Sequence, residues 1–183
     1  QGTVYTISDD GHFVGGEFEY LADSSKVNHI IQIDSYSSYS TKQLGDGLVR
    51  KGLVTAVQVA DVELDNTKIY AAGNFDYAGM TKVNHIAYWS GGNWKPLRDG
   101  VNDSLSQICL NGDTVYAAGP ALDSASGVAV NQIAMWDGTD WFALNEGVPG
   151  ASILDMVVDN SGNLYVCGDN LDLAGNTSVT GIA

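Results

Sequence analysis

With 183 residues, 44% of them apolar and 16% charged, the chain suits one globular domain or a short array rather than a disordered segment. Its 22 acidic against 8 basic residues give a net charge of -14, which opposes a nucleic-acid or anionic-membrane partner because a phosphate surface would be repelled. No apolar run approaches the ~18 residues of a membrane helix, and 22 glycines against 3 prolines predict many tight turns.

The chain starts Gln1-Gly2, without a Met or a basic and apolar leader, and so reads as a processed product or a piece of something longer. Four stretches then share a Y-x-x-G pattern or its relic: "HFVGGEF" at 12, "IYAAGNF" at 69, "VYAAGPA" at 115 and "LYVCGDN" at 164. Their last shared glycines, Gly16, Gly73, Gly119 and Gly168, stand 57, 46 and 49 residues apart. A small-residue step follows each one, and then come "VNHII", "VNHIA", "VNQIA" and "VTGIA", starting at Val27, Val83, Val130 and Val179. "YWSGGNWKPLRDGV" (88–101) matches "MWDGTDWFALNEGV" (135–148), with Trp89 aligned to Trp136 and Trp94 to Trp141. The first unit carries a degenerate "QIDSYSSYSTKQLGDGL", with Tyr near the second Trp position.

Within a unit the periodicity is that of strands. "AVQVA", "IYAAG", "HIAYW" and "WKPL" are short apolar or alternating runs separated by turn clusters such as Asn111-Gly112-Asp113. The expected fold is therefore all-β: a β-propeller-type array of four-stranded antiparallel blades, three full repeats plus most of a fourth. The repeats span roughly 1–47, 48–100, 101–147 and 148–183, the last incomplete. A blade cannot bury both faces alone, so neighbours must stack on it. The glycine after the second strand is expected where backbones crowd. The phase at both ends favours a segment of a longer array over completion by another chain.

The pattern Y-x-x-G-x-F…A-G…V-N-x-I-A-x-W-D-G…W…L…G-V resembles the kelch-like, Rax2-like and delta-60-type propeller repeats of secreted and cell-surface proteins. The resemblance covers essentially the whole chain and specifies architecture better than activity. It implies an extracellular or cell-surface location. The third and fourth units depart from G-x-F, with Pro120-Ala121 and Asn170-Leu171 in its place.

No catalytic constellation emerges. His29 and His85 hold equivalent positions in neighbouring units, too far apart to share a metal; Gln132 and Gly181 replace them, and His12 falls in a different phase. Asn28, Asn84 and Asn131 are expected to hydrogen-bond neighbouring backbone and fix a turn. One Trp of each pair is expected in the core. The second, Trp94 and Trp141, is the candidate exposed platform for stacking on a sugar. "DGTD" (137–140) and "DNSGN" (159–163) offer oxygens to calcium but read equally as hairpin turns, so a calcium cofactor is only an option. Asn102 and Asn176 head N-x-S/T sequons and are possible glycosylation sites. Cys109 and Cys167 fall in apolar positions.

These readings converge on a non-enzymatic extracellular or cell-surface module for adhesion, scaffolding or assembly. Its expected partners are proteins or further blades, with glycans as an option. The alternatives are a lectin-like propeller, with contacts at loop tips or the channel, and a fragment of an enzyme propeller of galactose-oxidase type. The last would need a copper site of Tyr and His ligands and a Tyr–Cys crosslink, and this sequence offers no placement for them.

Overall fold

The computed structural model describes residues 2–8, 11–35, 40–49, 58–65 and 68–183. Among the described residues there is no α-helix; the chain is all-β and every strand pairing is antiparallel. Three sheets have four strands in simple meander order. Sheet I comprises Gly2–Ile7, Phe13–Phe18, Ile30–Ser35 and Ser40–Gln43. Sheet II comprises Gln58–Asp65, Lys68–Asn74, Ile86–Ser90 and Asn93–Pro96, and sheet III Gln107–Asn111, Thr114–Ala118, Ile133–Trp136 and Trp141–Ala143. Sheet IV pairs Ser152–Val158 with Leu164–Asp169, and an isolated bridge from Cys167 to Ile182 opens a third strand.

The expected strand over "AVQVA" is seen from Gln58 onward; Ala56 and Val57 lie outside the described residues, as do Tyr36 and Tyr39 of "SYSSYS". The register corrects one alignment. Trp89 faces Trp94 and Trp136 faces Trp141 across their strands, and in sheet I the corresponding pair is Ile33 and Thr41. Thr41, rather than a tyrosine, fills the second Trp position of the first unit.

Between the second and third strands sits a small hairpin in the second, third and fourth units, and a single Tyr20–Lys26 bridge in the first. Tyr77–Ala78 pairs with Thr81–Lys82, Ser124–Ala125 with Val128–Ala129, and Leu173–Ala174 with Thr177–Ser178. The Leu48–Val49 strand joins the first of these by pairing with Tyr77–Ala78, so the end of one unit is stitched to the hairpin of the next.

Hydrophobic clusters lie between consecutive sheets. Phe13, Ile30, Leu44 and Leu48 pack with Ile69, Phe75 and Trp94 across sheets I and II. Tyr70, Ile86 and Leu97 pack with Val115, Ala134 and Trp141 across II and III. Ile133, Val148 and Ala118 pack with Ile153, Val166 and Leu171 across III and IV. The second strand of sheet II is buried from Ile69 to Gly73 without alternation, as a strand covered on both faces must be. First strands also adjoin in series: Gly2–Ile7 against Gln58–Asp65, that against Gln107–Asn111, and that against Ser152–Val158.

Candidate functional site

The asparagines and histidines singled out by the sequence lie at one recurring corner, where the third strand begins. Val27, Val83 and their neighbours arrive from the hairpin, and Asn28, His29, Asn84 and His85 then adopt positive φ of 45°, 74°, 49° and 72°. Gln132 and Gly181, which replace the histidines, do the same at 62° and 70°. The requirement at this position is thus a left-handed backbone turn, not an imidazole. The turn aims one carbonyl at the preceding strand: Gly16, Gly73, Gly119 and Gly168 each donate their N–H to the carbonyl of His29, His85, Gln132 and Gly181.

Three of those glycines sit where the backbone leading into or along the first strand presses closest. A Cβ on Gly16, Gly119 or Gly168 would lie 2.2 Å, 2.4 Å or 2.2 Å from the carbonyl oxygen of Thr3, Ser104 or Ser152. Backbone leaves no room there for a side chain.

The asparagine amides reach further than a local turn. Asn28 Nδ2 donates to Asp46 O at 2.7 Å, Asn84 Nδ2 to Asp99 O at 2.6 Å and Asn131 Nδ2 to Glu146 O at 2.9 Å. Each acceptor precedes the glycine that closes the unit: Gly47, Gly100 or Gly147. These glycines have φ of 73°, 73° and 69°, and a Cβ on Gly147 would lie 2.2 Å from Asn131 O. The Asn carbonyls also accept from the next residue, Leu48, Val101 and Val148, so each unit's end is clamped to its third-strand entry. The closing glycine carbonyls then receive N–H bonds from Gly79, Ser126 and Gly175 in the following hairpins.

His29 is buried, and its Nδ1–H donates to Gly16 O at 3.3 Å. Burial holds its pKa below the ordinary imidazole value. His85 is also buried. Among the described residues no three His, Cys, Asp or Glu side chains converge as a metal group.

The structure corrects the expected exposure of the second tryptophans. Trp94 and Trp141 are only 6% and 3% exposed. Trp94 Nε1 donates to Leu44 O, and Trp141 Nε1 to Leu97 O, both at 3.0 Å. Each indole therefore crosses from its own sheet to a carbonyl of the preceding unit. Its partner stands beside it: Trp89 lies 5.4 Å from Trp94 at 65°, and Trp136 lies 5.6 Å from Trp141 at 56°. No open indole face remains at Trp94 or Trp141 for a pyranose to stack on. Sequence alone missed this because a Trp after a hairpin turn looks the same whether its strand borders solvent or another sheet.

The two calcium candidates are occupied by their own backbone. Asp137 Oδ1 accepts from the N–H of Thr139 and Asp140, both at 2.8 Å. Asp159 Oδ1 accepts from Ser161 and Asn163 N–H, and its Oδ2 from Asn163 Nδ2 and Tyr165 OH. For Asp159 the Asn163 side-chain bond, and for Asp137 the Asp140 N–H, holds the carboxyl pKa below the usual range.

Asn102 and Asn176 are both exposed. Asn102 Oδ1 accepts from Asp123 and Ser124 N–H, while Asn176 lies in the turn of the last hairpin. Cys109 is buried and Cys167 half-buried, both as thiols.

Two of the concave regions lie beside these elements. A polar recess of about 360 Å³ is lined by Tyr5, Asn74, Ser104, Ser106, Gln107 and Pro120. An apolar cleft of about 290 Å³ opens between sheets III and IV. No protein-family profile matches the chain, and neither does any curated protein.

Proposed function

We propose that the chain forms a propeller-type repeat array and serves as a non-enzymatic extracellular or cell-surface module for adhesion, scaffolding or assembly. One observation carries the reading: the side chains with chemical potential are used to join one unit to itself or to the next. Asn28, Asn84 and Asn131 clamp unit ends. Trp94 and Trp141 bolt a sheet to its predecessor. Meander sheets with adjoining first strands and cores between them are what a stack of blades requires. The acidic surface suits solubility and contact with proteins rather than with polyanions.

The lectin-like alternative loses its platform with the two buried indoles. The test pairs a glycan array with sedimentation at increasing protein concentration and metal analysis of the native protein. The proposal expects concentration-dependent association or capture by a protein surface, no retained glycan and no stoichiometric copper. Saturable glycan binding, or one copper per chain with oxidase activity, overturns it.

A further inference from the structure

We propose that the polar recess bounded by sheets I, II and III binds the guanidinium group of an arginine carried by a basic partner protein. The inference rests on the protein-binding role proposed above and deepens it by naming the chemistry of the partner. The recess holds about 360 Å³, roughly twelve waters of liquid volume and room for a guanidinium with its stem. Its walls come from three consecutive sheets. Tyr5 belongs to the first strand of sheet I and Asn74 ends the second strand of sheet II; Ser104, Ser106, Gln107 and Pro120 belong to sheet III and its approaches.

A repeated irregularity of the backbone presents Tyr5 there. The first strand of sheet I shifts register between Val4 and Thr6, which leaves Tyr5 as a bulge residue. The same shift falls between Val59 and Asp61 in sheet II and between Ile153 and Asp155 in sheet IV. A bulge turns one side chain out of the strand's alternation. Ser106 stands at the corresponding place in sheet III, one residue after the backbone that presses on Gly119, as Tyr5 follows the backbone that presses on Gly16. The bulge is thus a property of the repeat, whereas the side chain it presents changes from Tyr5 to Ser106 to Leu154. A constant frame with variable contacts is the pattern of a recognition surface.

The hydroxyl protons decide what the recess recognises. Tyr5 OH donates to Glu17 Oε2 at 3.1 Å, Ser104 Oγ to Asp103 Oδ1 at 3.1 Å and Ser106 Oγ to Ala118 O at 3.3 Å. Each hydroxyl has one proton, so these three oxygens are left to the recess as acceptors. Pro120 has no N–H to offer. Among the described residues lining the recess there is no Lys, Arg or His, and the carboxylates of Glu17 and Asp103 are bonded to two of them. An acceptor-rich recess beside two carboxylates, in a chain of net charge -14, favours a cationic donor. Arginine suits it better than lysine. A guanidinium offers five N–H groups in one plane to separated acceptors and can lie flat on the Tyr5 ring, which is 46% exposed. A sugar hydroxyl, donor and acceptor at once, would find the three hydroxyl protons already engaged.

The test titrates the native chain with acetyl-Gly-Arg-Gly-amide and with its citrulline counterpart, which keeps the shape and loses the charge, while backbone amide resonances are followed. Saturable shifts centred on Tyr5 and on Ser104 to Gln107 are expected with the arginine peptide, and binding about fivefold weaker with citrulline. Tyr5→Ala is expected to weaken the arginine peptide about threefold, and Tyr5→Phe, which keeps the ring, by less. Gln107→Lys places a cation in the recess without altering Tyr5 and is expected to abolish the shifts at the other lining residues. An unchanged thermal midpoint checks the fold of each variant. Equal affinity for the two peptides, shifts scattered over the acidic surface, or unchanged affinity in both Tyr5→Ala and Gln107→Lys overturns the proposal. Protein association that persists without arginine binding would overturn the recess alone, whereas glycan capture in the earlier test would overturn the wider role.

Discussion

The junction between sheets II and III and the one between sheets III and IV are built from matching residues, yet one is sealed and the other gapes. Val115 is 0% exposed at the first, and its counterpart Leu164 at the second is only half-buried. Ala134 is 0% exposed, while Ala183 in the same slot of sheet IV is half-buried. At the sealed junction a third and a fourth strand deliver Trp136 and Trp141; at the open one only Ile182 and Ala183 of the third strand are present. Apolar residues in a repeat do not bury themselves by identity. They are buried when the neighbouring unit supplies the strand that covers them, which is the nearest-neighbour logic of repeat proteins.

Two ion pairs also span the sealed junction, Lys68 with Asp113 and Arg98 with Asp140. Both are largely exposed and contribute little, roughly 0–1 kcal/mol each. The strands that carry Trp136 and Trp141 distinguish the two junctions.

The largest way to break the comparison is Trp141→Ala. It should convert the sealed junction into a second open cleft and cost about 3–5 kcal/mol, read as a shift in the denaturant midpoint. Trp141→Phe keeps most of the ring but leaves Leu97 O without its donor, and should cost less. Next comes Gly147→Ala at the open junction. Its φ of 69° and the approach of Asn131 O to the position of a Cβ predict a loss of at least about 2 kcal/mol by the same measurement.

The clamps should be worth less. Asn84→Ala and Asn131→Ala each remove one amide–carbonyl bond at a half-buried or exposed corner, costing about 1 kcal/mol. An equal cost at both would show that the clamp acts within a unit. A larger cost at Asn84 would show that it also supports the sealed junction.

His29 provides a pH readout. Its folded-state pKa is lowered by burial, so the native state favours the neutral ring. Stability is fully present above the ordinary histidine value of about 6.5 and declines as pH falls below it, until the folded-state pKa is passed. His29→Gln, which places there the residue the third unit uses, should flatten a plot of stability against pH in that window. The smallest effect is expected from Asp159→Asn. The carboxylate's lowered pKa means its turn bonds support the fold above the ordinary carboxyl value and are lost as pH falls through the lowered one. Loss of that acid-side dependence, seen by acid titration of the fold, checks it.

Much of the architecture was legible in the sequence. The four Y-x-x-G stretches became second strands, the glycines fell where backbones touch, and the strands between turn clusters formed antiparallel sheets. The tryptophans were misjudged, because alternation along Asn93–Pro96 tells which residues share a face but not whether another sheet covers that face. The asparagines were recognised as backbone partners, yet their acceptors lie 15 to 18 residues away and no spacing rule points to them. Thr41 was obscured because a register shift between Ile33 and Ser35 displaces the alignment by one residue.

By itself, then, the sequence determined the repeat, its strand period and the slots where only a small residue or a left-handed turn fits, since those follow from local sterics and from periodicity. Tertiary structure alone decided which of the equivalent slots are buried. Burial depends on what stands opposite, and a repeat unit cannot encode its neighbour's presence.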